Sequence, residues 1–513
     1  MNTINKSIIA AIFLLSYVSI INSANILVLF TLASRSVHIW HTPLLTALAN
    51  KGHNLTVISP DAQKTPVPNL TDLQVDGMYE GLTDQYAWED LTESSTFYWI
   101  SETFAYFENA CSLVLKSDRI KQLLDYPPDF KFDLVLIEPV GSECLLGILP
   151  KFGNPPIVSV SSFALPHWVL EITGTSANPS YVPYAYLPHN DKMKFPERMY
   201  NSIAYLYSYV LYNYNYLPNM DREARYFFGS DIPSVYNTLK DTSITLSNYH
   251  PTLDTPLATT PNLIPIAAIQ VKEPKPLPAD IQTFLDEATE GAIYFSFGTN
   301  VRSDKLSLAT RKAILEAFAE LPQRVLWKFE SDLPDAPKNV KISKWLPQND
   351  ILAHPNIKVF ITHSGLHSTH ETITRGVPVI GVPFMVDQHT NIKKLVKLGC
   401  GIQLEYKNIR KDTFLRALRE IIGNPSYREN MKQLSARFQD NLNSPLETAV
   451  FWTEYVIRHK GAPHLQTGAK NLNFIQFYLL DIIAFLIITP TVLFSMIKSI
   501  FFRKKSKLKR KHN

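Results

Sequence analysis

A chain of 513 residues is too long for one hydrophobic core and suits two α/β domains. Its formal charge of +4 belongs to the end of the chain: without the seven Lys and Arg between residues 503 and 511 it becomes about −3, so the apparent basicity implies nothing about nucleic acid. Cys111, Cys144 and Cys400 are too few and too widely separated for a zinc cluster or a disulfide framework, and allow one bridge at most.

In chain order, Lys6, the apolar run Ile8 to Ile21 and small residues at Ser23 and Ala24 read as a cleavable secretory signal over residues 1–24. A buried strand (Ile26 to Phe30), the polar loop TLASRSVHIWH, a helix (His41 to Asn50) and another strand (Leu55 to Ile58) then open a doubly wound sheet. Further strands are expected at Phe132 to Ile137 and Ile157 to Val160. The loop after the first strand sits at a carboxyl strand end, where open parallel sheets bind ligands, and it holds both His38 and His41. His41, at the expected helix start, reads more simply as a capping residue. Glu138, at the end of FDLVLIE, is placed to orient a catalytic histidine, with Glu143 as a substitute. Asn54 and Asn69 open NLT sequons; Asn69 is the better glycan candidate, because Asn54 immediately precedes a core strand. The tyrosine-rich segment Tyr200 to Tyr216 suits core or membrane-surface packing and is given no catalytic role.

Prolines cluster from Pro251 to Pro278 as in a linker, which places the first domain at 25–276 and the second at 277–445. Ser296, Gly298 and Thr299 end the next expected strand in SFGT, a segment that also reads as a tight turn. At the start of Phe360 to Gln388, the apolar run Ile357 to Ile361 leads into THSG, the start of a helix at a crevice. His363, Gly365 and Ser368 lie in that first turn, where free N–H groups and the helix dipole attract an anion such as a diphosphate. Glu371, one turn on, suits sugar hydroxyls, and Asp387 with Gln388 follows a second buried strand (Val379 to Val382) where a hexose can be gripped. Neither GxGxxG nor a P-loop follows any expected strand, which disfavours a dinucleotide dehydrogenase or an NTPase.

The joint spacing of Phe360 to Gln388 resembles the signature of the UDP-glycosyltransferase family, which includes the animal UDP-glucuronosyltransferases. KWLPQNDILAHP (Lys344 to Pro355), GAIYFSFGT and AVFWTEYVIRHK (Ala449 to Lys460) resemble the same family, so the likeness spans nearly all of the second half, while the first half matches more loosely. The chain is similar to a membrane-anchored, arthropod-like member. That resemblance implies a GT-B fold of two facing Rossmann-like domains, with Trp345 stacking on uracil, Gln348 bonding the nucleoside and the Ser296–Thr299 loop closing over the phosphates. It also implies a return of the chain across the first domain over 446–473. The expected activity is inverting transfer of glucose or glucuronic acid from UDP to small lipophilic hydroxyl compounds, with no metal and no cofactor beyond the UDP-sugar. The alternative is a catalytically silent UDP-sugar binder or partner subunit, and homo- or hetero-oligomers remain open. The family places a histidine directly after serine in the first loop, whereas here Val37 stands between Ser36 and His38 and falls at the family's position when counted back from Pro43. His38 is the preferred base, with Glu138 as its partner.

Phe474 to Ile497 covers roughly 35 Å as a helix and so spans a bilayer core. The basic residues after it, in the tail 498–513, put that tail in the cytosol and the body in the lumen, and Lys509 and Lys511 resemble an endoplasmic reticulum retrieval signal. A glycosylated, single-pass enzyme of that membrane, with a role in detoxification, is the expectation.

Overall fold

The computed structural model describes residues 23–82 and 94–509. Most of the expected signal segment and the last four residues of the tail therefore lie outside the described residues.

Short aliphatic runs with almost every side chain buried form two wholly parallel sheets, as strands covered by helices on both faces require. The first contains β1 (Asn25–Leu29), β2 (Asn54–Ser59), β3 (Leu70–Gln74), β4 (Leu134–Ile137), β5 (Ile157–Ser161), β6 (Ile244–Ser247) and β7 (Leu263–Pro265), in the order β3-β2-β1-β4-β5-β6-β7. The second contains β8 (Ala292–Ser296), β9 (Arg324–Lys328), β10 (Val340–Ser343), β11 (Ile357–Thr362), β12 (Val379–Gly381) and β13 (Gly401–Gln403), in the order β10-β9-β8-β11-β12-β13. In each sheet the order reverses direction between two central strands, β1 beside β4 and β8 beside β11. Connections leave such a pair in opposite directions and open a crevice at its carboxyl end. Leu29 pairs with Ile137 and Thr362 with Ser296, so within each pair the loops after the two strands start level with one another.

Seven helices build the walls of the crevice, the return across the first domain and the apolar end of the chain: α1 (Arg35–Asn50), α2 (Thr96–Leu115), α3 (Phe195–Leu211), α4 (Leu366–Arg375), α5 (Gln388–Lys397), α6 (Pro445–His459) and α7 (Leu480–Lys509). Helix α1 begins six residues before the expected His41. Pro43 lies inside the helix, which runs through it and does without the N–H that proline lacks. Trp40, Leu44 and Leu48 of α1 pack against β1 and β2, and Ala449, Val450 and Val456 of α6 share that cluster. The chain thus returns from the second sheet to the first, where Glu454 pairs with Lys51 at 2.7 Å.

Cys111 of α2 is bonded to Cys144, and Cys400 is free and buried. Asn69 adopts a left-handed conformation in an exposed turn, and Asn54, also exposed, opens β2. The apolar segment near the end starts later than Phe474. Phe474–Phe477 forms a separate turn, Leu479 takes φ 55°, and only then does α7 begin. Its residues Leu480–Phe502 have mean hydropathy 2.2 and none is buried, so by length and composition it is able to cross a membrane.

Candidate active site

A crevice of about 580 Å³ lies between the carboxyl ends of the two sheets. Ser296, Gly298, Thr299, Trp345, Gln348, His363, Gly365, Ser368, Glu371, Asp387 and Gln388 all line it. The fold therefore brings together every residue expected on the donor side.

The floor of that side is the turn from β11 into α4. Ser364 holds φ 64°, a left-handed conformation that costs a non-glycine residue energy, and Gly365 precedes the helix without a side-chain cap. The first N–H groups of α4 are thus left for a ligand, at the positive end of the helix dipole. The His363 ring lies between two glycines: a Cβ on Gly298 or on Gly365 would come within 2.5 Å of it. Burial, reinforced by the charge of Lys328, holds His363 down at about 3, so the ring is neutral. Its Nδ1 is buried without a hydrogen-bond partner among the described residues, as suits a group that waits for a ligand.

Above this floor, Tyr294 donates to Gln348 Oε1 at 3.2 Å, and the Gln348 amide donates to Ser368 Oγ at 3.0 Å and to Glu371. Burial raises Glu371 to about 7, partly offset by that amide. Trp345 is 47% exposed, so its ring is an open platform and not a core residue; Lys64 of the first domain stands 5.0 Å from its centroid. Asp387 accepts from Asn391 at 2.8 Å, and burial raises its pKa. Gln388 Oε1 accepts from the Phe384 N–H at 2.8 Å, which fixes the side chain by its oxygen and leaves the amide nitrogen for another group. Among the described residues no cluster of His, Cys, Asp and Glu is arranged to hold a metal ion.

Across the crevice the outcome differs. His38 does not line it. Because α1 already starts at Arg35, His38 is a helical residue whose charged surroundings are Asp61, Asp72 and Lys64, beside β2 and β3; burial lowers its pKa. Glu138 is not its partner. Glu138 Oε2 lies 3.1 Å from Nε2 of His41, and its carboxylate accepts from the Ser162 N–H at 3.2 Å. His41 is stacked on Phe30 at 3.8 Å and, like Glu138, is fully enclosed. Burial drives His41 down to about 3 and Glu138 up to about 8, so at neutral pH both are uncharged; the His41 ring bonds the Val160 carbonyl, and its Nε2 lies beside Glu138 without an aligned hydrogen bond. Glu143, the substitute carboxylate, accepts instead from the Tyr216 hydroxyl at 2.6 Å and lies away from both histidines' contacts.

Val37, one turn before His41, faces the crevice. Opposite it stands His367, which the sequence did not single out because its place depends on how the two domains meet. His367 comes from the first turn of α4 and lines the crevice, with Nε2 at 3.4 Å from the Ser162 carbonyl of the first domain. The Ser36 carbonyl is a second neighbour of the ring, and the Trp40 indole lies parallel to it at 6.2 Å.

The family model described as "UDP-glucoronosyl and UDP-glucosyl transferase" matches residues 26–513. UDP-glycosyltransferase UGT5 of Dactylopius coccus is 39% identical over 504 residues, 97% of this chain and 94% of that protein. UDP-glucosyltransferase 2 of the same organism is 41% identical over 478 residues, 91% and 90% of the two chains. UDP-glucuronosyltransferase 1A7 of Rattus norvegicus is 32% identical over 473 residues, 88% and 87%. Among solved structures, the UDP-glucose:anthocyanidin 3-O-glucosyltransferase in complex with UDP superposes with TM-score 0.54 at 18% identity, covering 85% of this chain and 99% of that one. At that identity the likeness concerns the fold alone, which is GT-B.

Proposed function

The chain belongs to the UDP-glucuronosyl and UDP-glucosyl transferase family and is a UDP-dependent hexosyltransferase, and from that premise we propose that it inverts the sugar centre while transferring glucose or glucuronic acid to small lipophilic hydroxyl compounds. The observation that supports the reading is the convergence of all the expected donor residues on one crevice at the start of α4. In this reading Trp345 stacks on uracil, and Gln348 and Glu371 take the nucleoside's polar edge and the ribose hydroxyls. His363, Gly365, Ser368 and the Ser296–Thr299 loop hold the diphosphate, and Asp387 and Gln388 hold the hexose. The leaving diphosphate gains its charge next to free helix N–H groups and a neutral imidazole N–H, the pre-set dipoles that lower such a barrier.

The acceptor's hydroxyl must lose a proton as its oxygen bonds to the anomeric carbon and the bond to the diphosphate breaks. Val37 cannot take it, and His38 lies outside the crevice. His367 is the base in this reading, with its neutral ring set between two backbone carbonyls, those of Ser36 and Ser162. One of these carbonyls accepts from the protonated ring nitrogen; the other nitrogen turns its lone pair to the acceptor hydroxyl and takes that proton. The buried His41–Glu138 pair positions the start of α1 behind Val37 and takes no proton from the acceptor.

The same reading places α7 across a membrane, with the body on the lumenal side of the endoplasmic reticulum and the basic tail in the cytosol. Turnover of UDP-glucose and UDP-glucuronate by the purified full-length protein, with calorimetry of UDP binding, tests it. Donor consumption with conjugate formation is expected; tight UDP binding with no turnover of either donor would leave only a binding protein.

A further inference from the structure

The tyrosine-rich segment that the chemistry leaves unused forms α3, and its side chains are arranged the wrong way round for a helix on a water-soluble body. Asn201, Ala204 and Ser208 face inward and are buried. Phe195, Met199, Ile203, Leu206 and Val210 face outward, each between 44% and 69% exposed. Their spacing of three or four residues puts them on one narrow stripe, about 22 Å long at 1.5 Å per residue. From Met199 to Tyr214 the sequence contains no Asp, Glu, Lys or Arg, so nothing on this stretch is solvated as a charge. A contiguous outward apolar face of this kind marks a surface that something covers.

The fold itself indicates the cover. The segment that leads into α7 packs on α3: the Phe474 ring lies 5.2 Å from that of Tyr209, and the Tyr478 hydroxyl donates to the Ala177 carbonyl at 3.2 Å. Ile475 and Leu479, both exposed, add apolar surface between that contact and Leu480, where α7 departs. At the other end of the stripe Lys192 and Lys194 are exposed, with Asp191 and Glu197 in the same stretch; long basic side chains in such a place reach lipid headgroups. Tyrosines on the flanks of the stripe, Tyr200 and Tyr214, are the residues that favour a membrane–water boundary.

We propose that α3 lies in the plane of the bilayer interface, so that the body rests on the membrane that α7 crosses, with the stripe immersed among the acyl chains. The inference rests on the reading of α7 as a membrane span. It also gives the lipophilic acceptor a short route: the segment that runs into α3 lines a second cavity of about 370 Å³, and Tyr186 is a wall of both that cavity and the crevice.

The test uses the full-length chain in phosphatidylcholine nanodiscs, with single thiols introduced for an environment-sensitive fluorophore. Cys111 and Cys144 are bonded and Cys400 is buried, so the label goes to the introduced site. Leu206→Cys reports on the stripe, Leu493→Cys on α7, and Tyr226→Cys, at a position 83% exposed, on the open body. A label at Leu206→Cys is expected to be quenched by nitroxide lipids with a shallow spin label, at a depth of about 5–10 Å, and protected from aqueous iodide. Leu493→Cys should respond to deep nitroxides, and Tyr226→Cys to iodide alone. If Leu493→Cys is quenched by lipid while Leu206→Cys is quenched by iodide, the proposal falls and the span stands. If Leu493→Cys is not quenched by lipid, the span itself fails. Protection of Leu206→Cys from both quenchers means that a second protein copy covers the stripe, and that also overturns the proposal. Ile203→Glu with Leu206→Glu and Val210→Glu supplies the second arm: a label at Tyr214→Cys should leave the membrane with unchanged thermal unfolding.

Discussion

The donor and acceptor walls of the crevice are built by the same device, a strand end feeding a helix start, yet they carry different kinds of information. On the donor wall β11 ends, Ser364 turns the chain, and α4 presents N–H groups and side chains a few residues apart. The turn and the helix start depend on local spacing, and Tyr294 and Gln348 join them from neighbouring elements of the same domain. On the acceptor wall β1 ends and α1 starts in the same way, but the residue that faces the crevice is Val37, and the imidazole opposite Ser36 and Ser162 is His367, from the other domain. A site assembled within one strand–helix–strand unit is dictated by its sequence; one assembled across two domains is dictated by how they close.

The largest expected effect tests that division directly. His367→Gln should lower turnover by about 10²- to 10⁴-fold, the range of a lost general base, while UDP affinity changes little. His38→Ala should leave turnover near that of the parent, because its charged neighbours are Asp61 and Asp72, away from the crevice. If His38→Ala abolished turnover and His367→Gln did not, the base would lie on α1 after all, and the two walls would be equally local.

The extent to which the sequence could be read follows from the same contrast. Trp345, Gln348, His363, Glu371, Asp387 and Gln388 were legible because glycines, prolines and buried runs fix the strand and helix starts between them. The helix phase at His38 was not. Each residue turns a helix by about 100°, so moving the start of α1 from His41 to Arg35 decides which of Val37, His38 and His41 sees the crevice. Glu138 was correctly placed at a strand end, but its partner depended on the same phase and proved to be His41. The outward stripe of α3 was present in the sequence as a run of tyrosines, but only the packing of Asn201, Ala204 and Ser208 shows which face is outward.

The next effect belongs to the donor wall. Trp345→Ala should cost about 1–3 kcal/mol of UDP affinity by calorimetry, the value of stacking one base on an aromatic platform. Gly365→Ala sharpens the same point, since its Cβ would displace the His363 ring. Unchanged UDP affinity in Trp345→Ala would remove the stacking role from the open indole.

The acceptor wall responds differently, through stability. Glu138→Ala leaves the buried Ser162 N–H without its partner and should cost about 1–3 kcal/mol by denaturant titration. Glu138→Gln keeps a neutral partner and should cost less. Burial raises the folded pKa of Glu138 above its ordinary 4.5 to about 8, so the folded state holds this proton more tightly. Stability from this group is complete below 4.5 and falls as pH rises through that window. The stability of the parent relative to Glu138→Gln should therefore decline between pH 4.5 and about 8. A difference that grew with pH would mean a charged His41–Glu138 pair.

The smallest effect isolates one contact. Burial holds Glu371 at about 7, but in the proposed reading ribose hydroxyls donate to the carboxylate and favour its charged form. Nucleoside binding therefore lowers the pKa of Glu371 and releases part of a proton near neutrality, so affinity should rise a few-fold as pH increases toward about 7 and then level off. Uridine is the proper ligand for this measurement, because UDP has a phosphate that titrates in the same range. Calorimetry of uridine in two buffers of different ionisation enthalpy reads the released proton directly. Glu371→Gln should bind uridine more weakly, with no proton release and no pH slope. Proton uptake by the parent instead would mean that Glu371 meets the nucleoside as a neutral acid, donating its own proton where a ribose hydroxyl was expected to donate. The network from Tyr294 through Gln348 would then hold an acid and not a carboxylate at the bottom of the donor site.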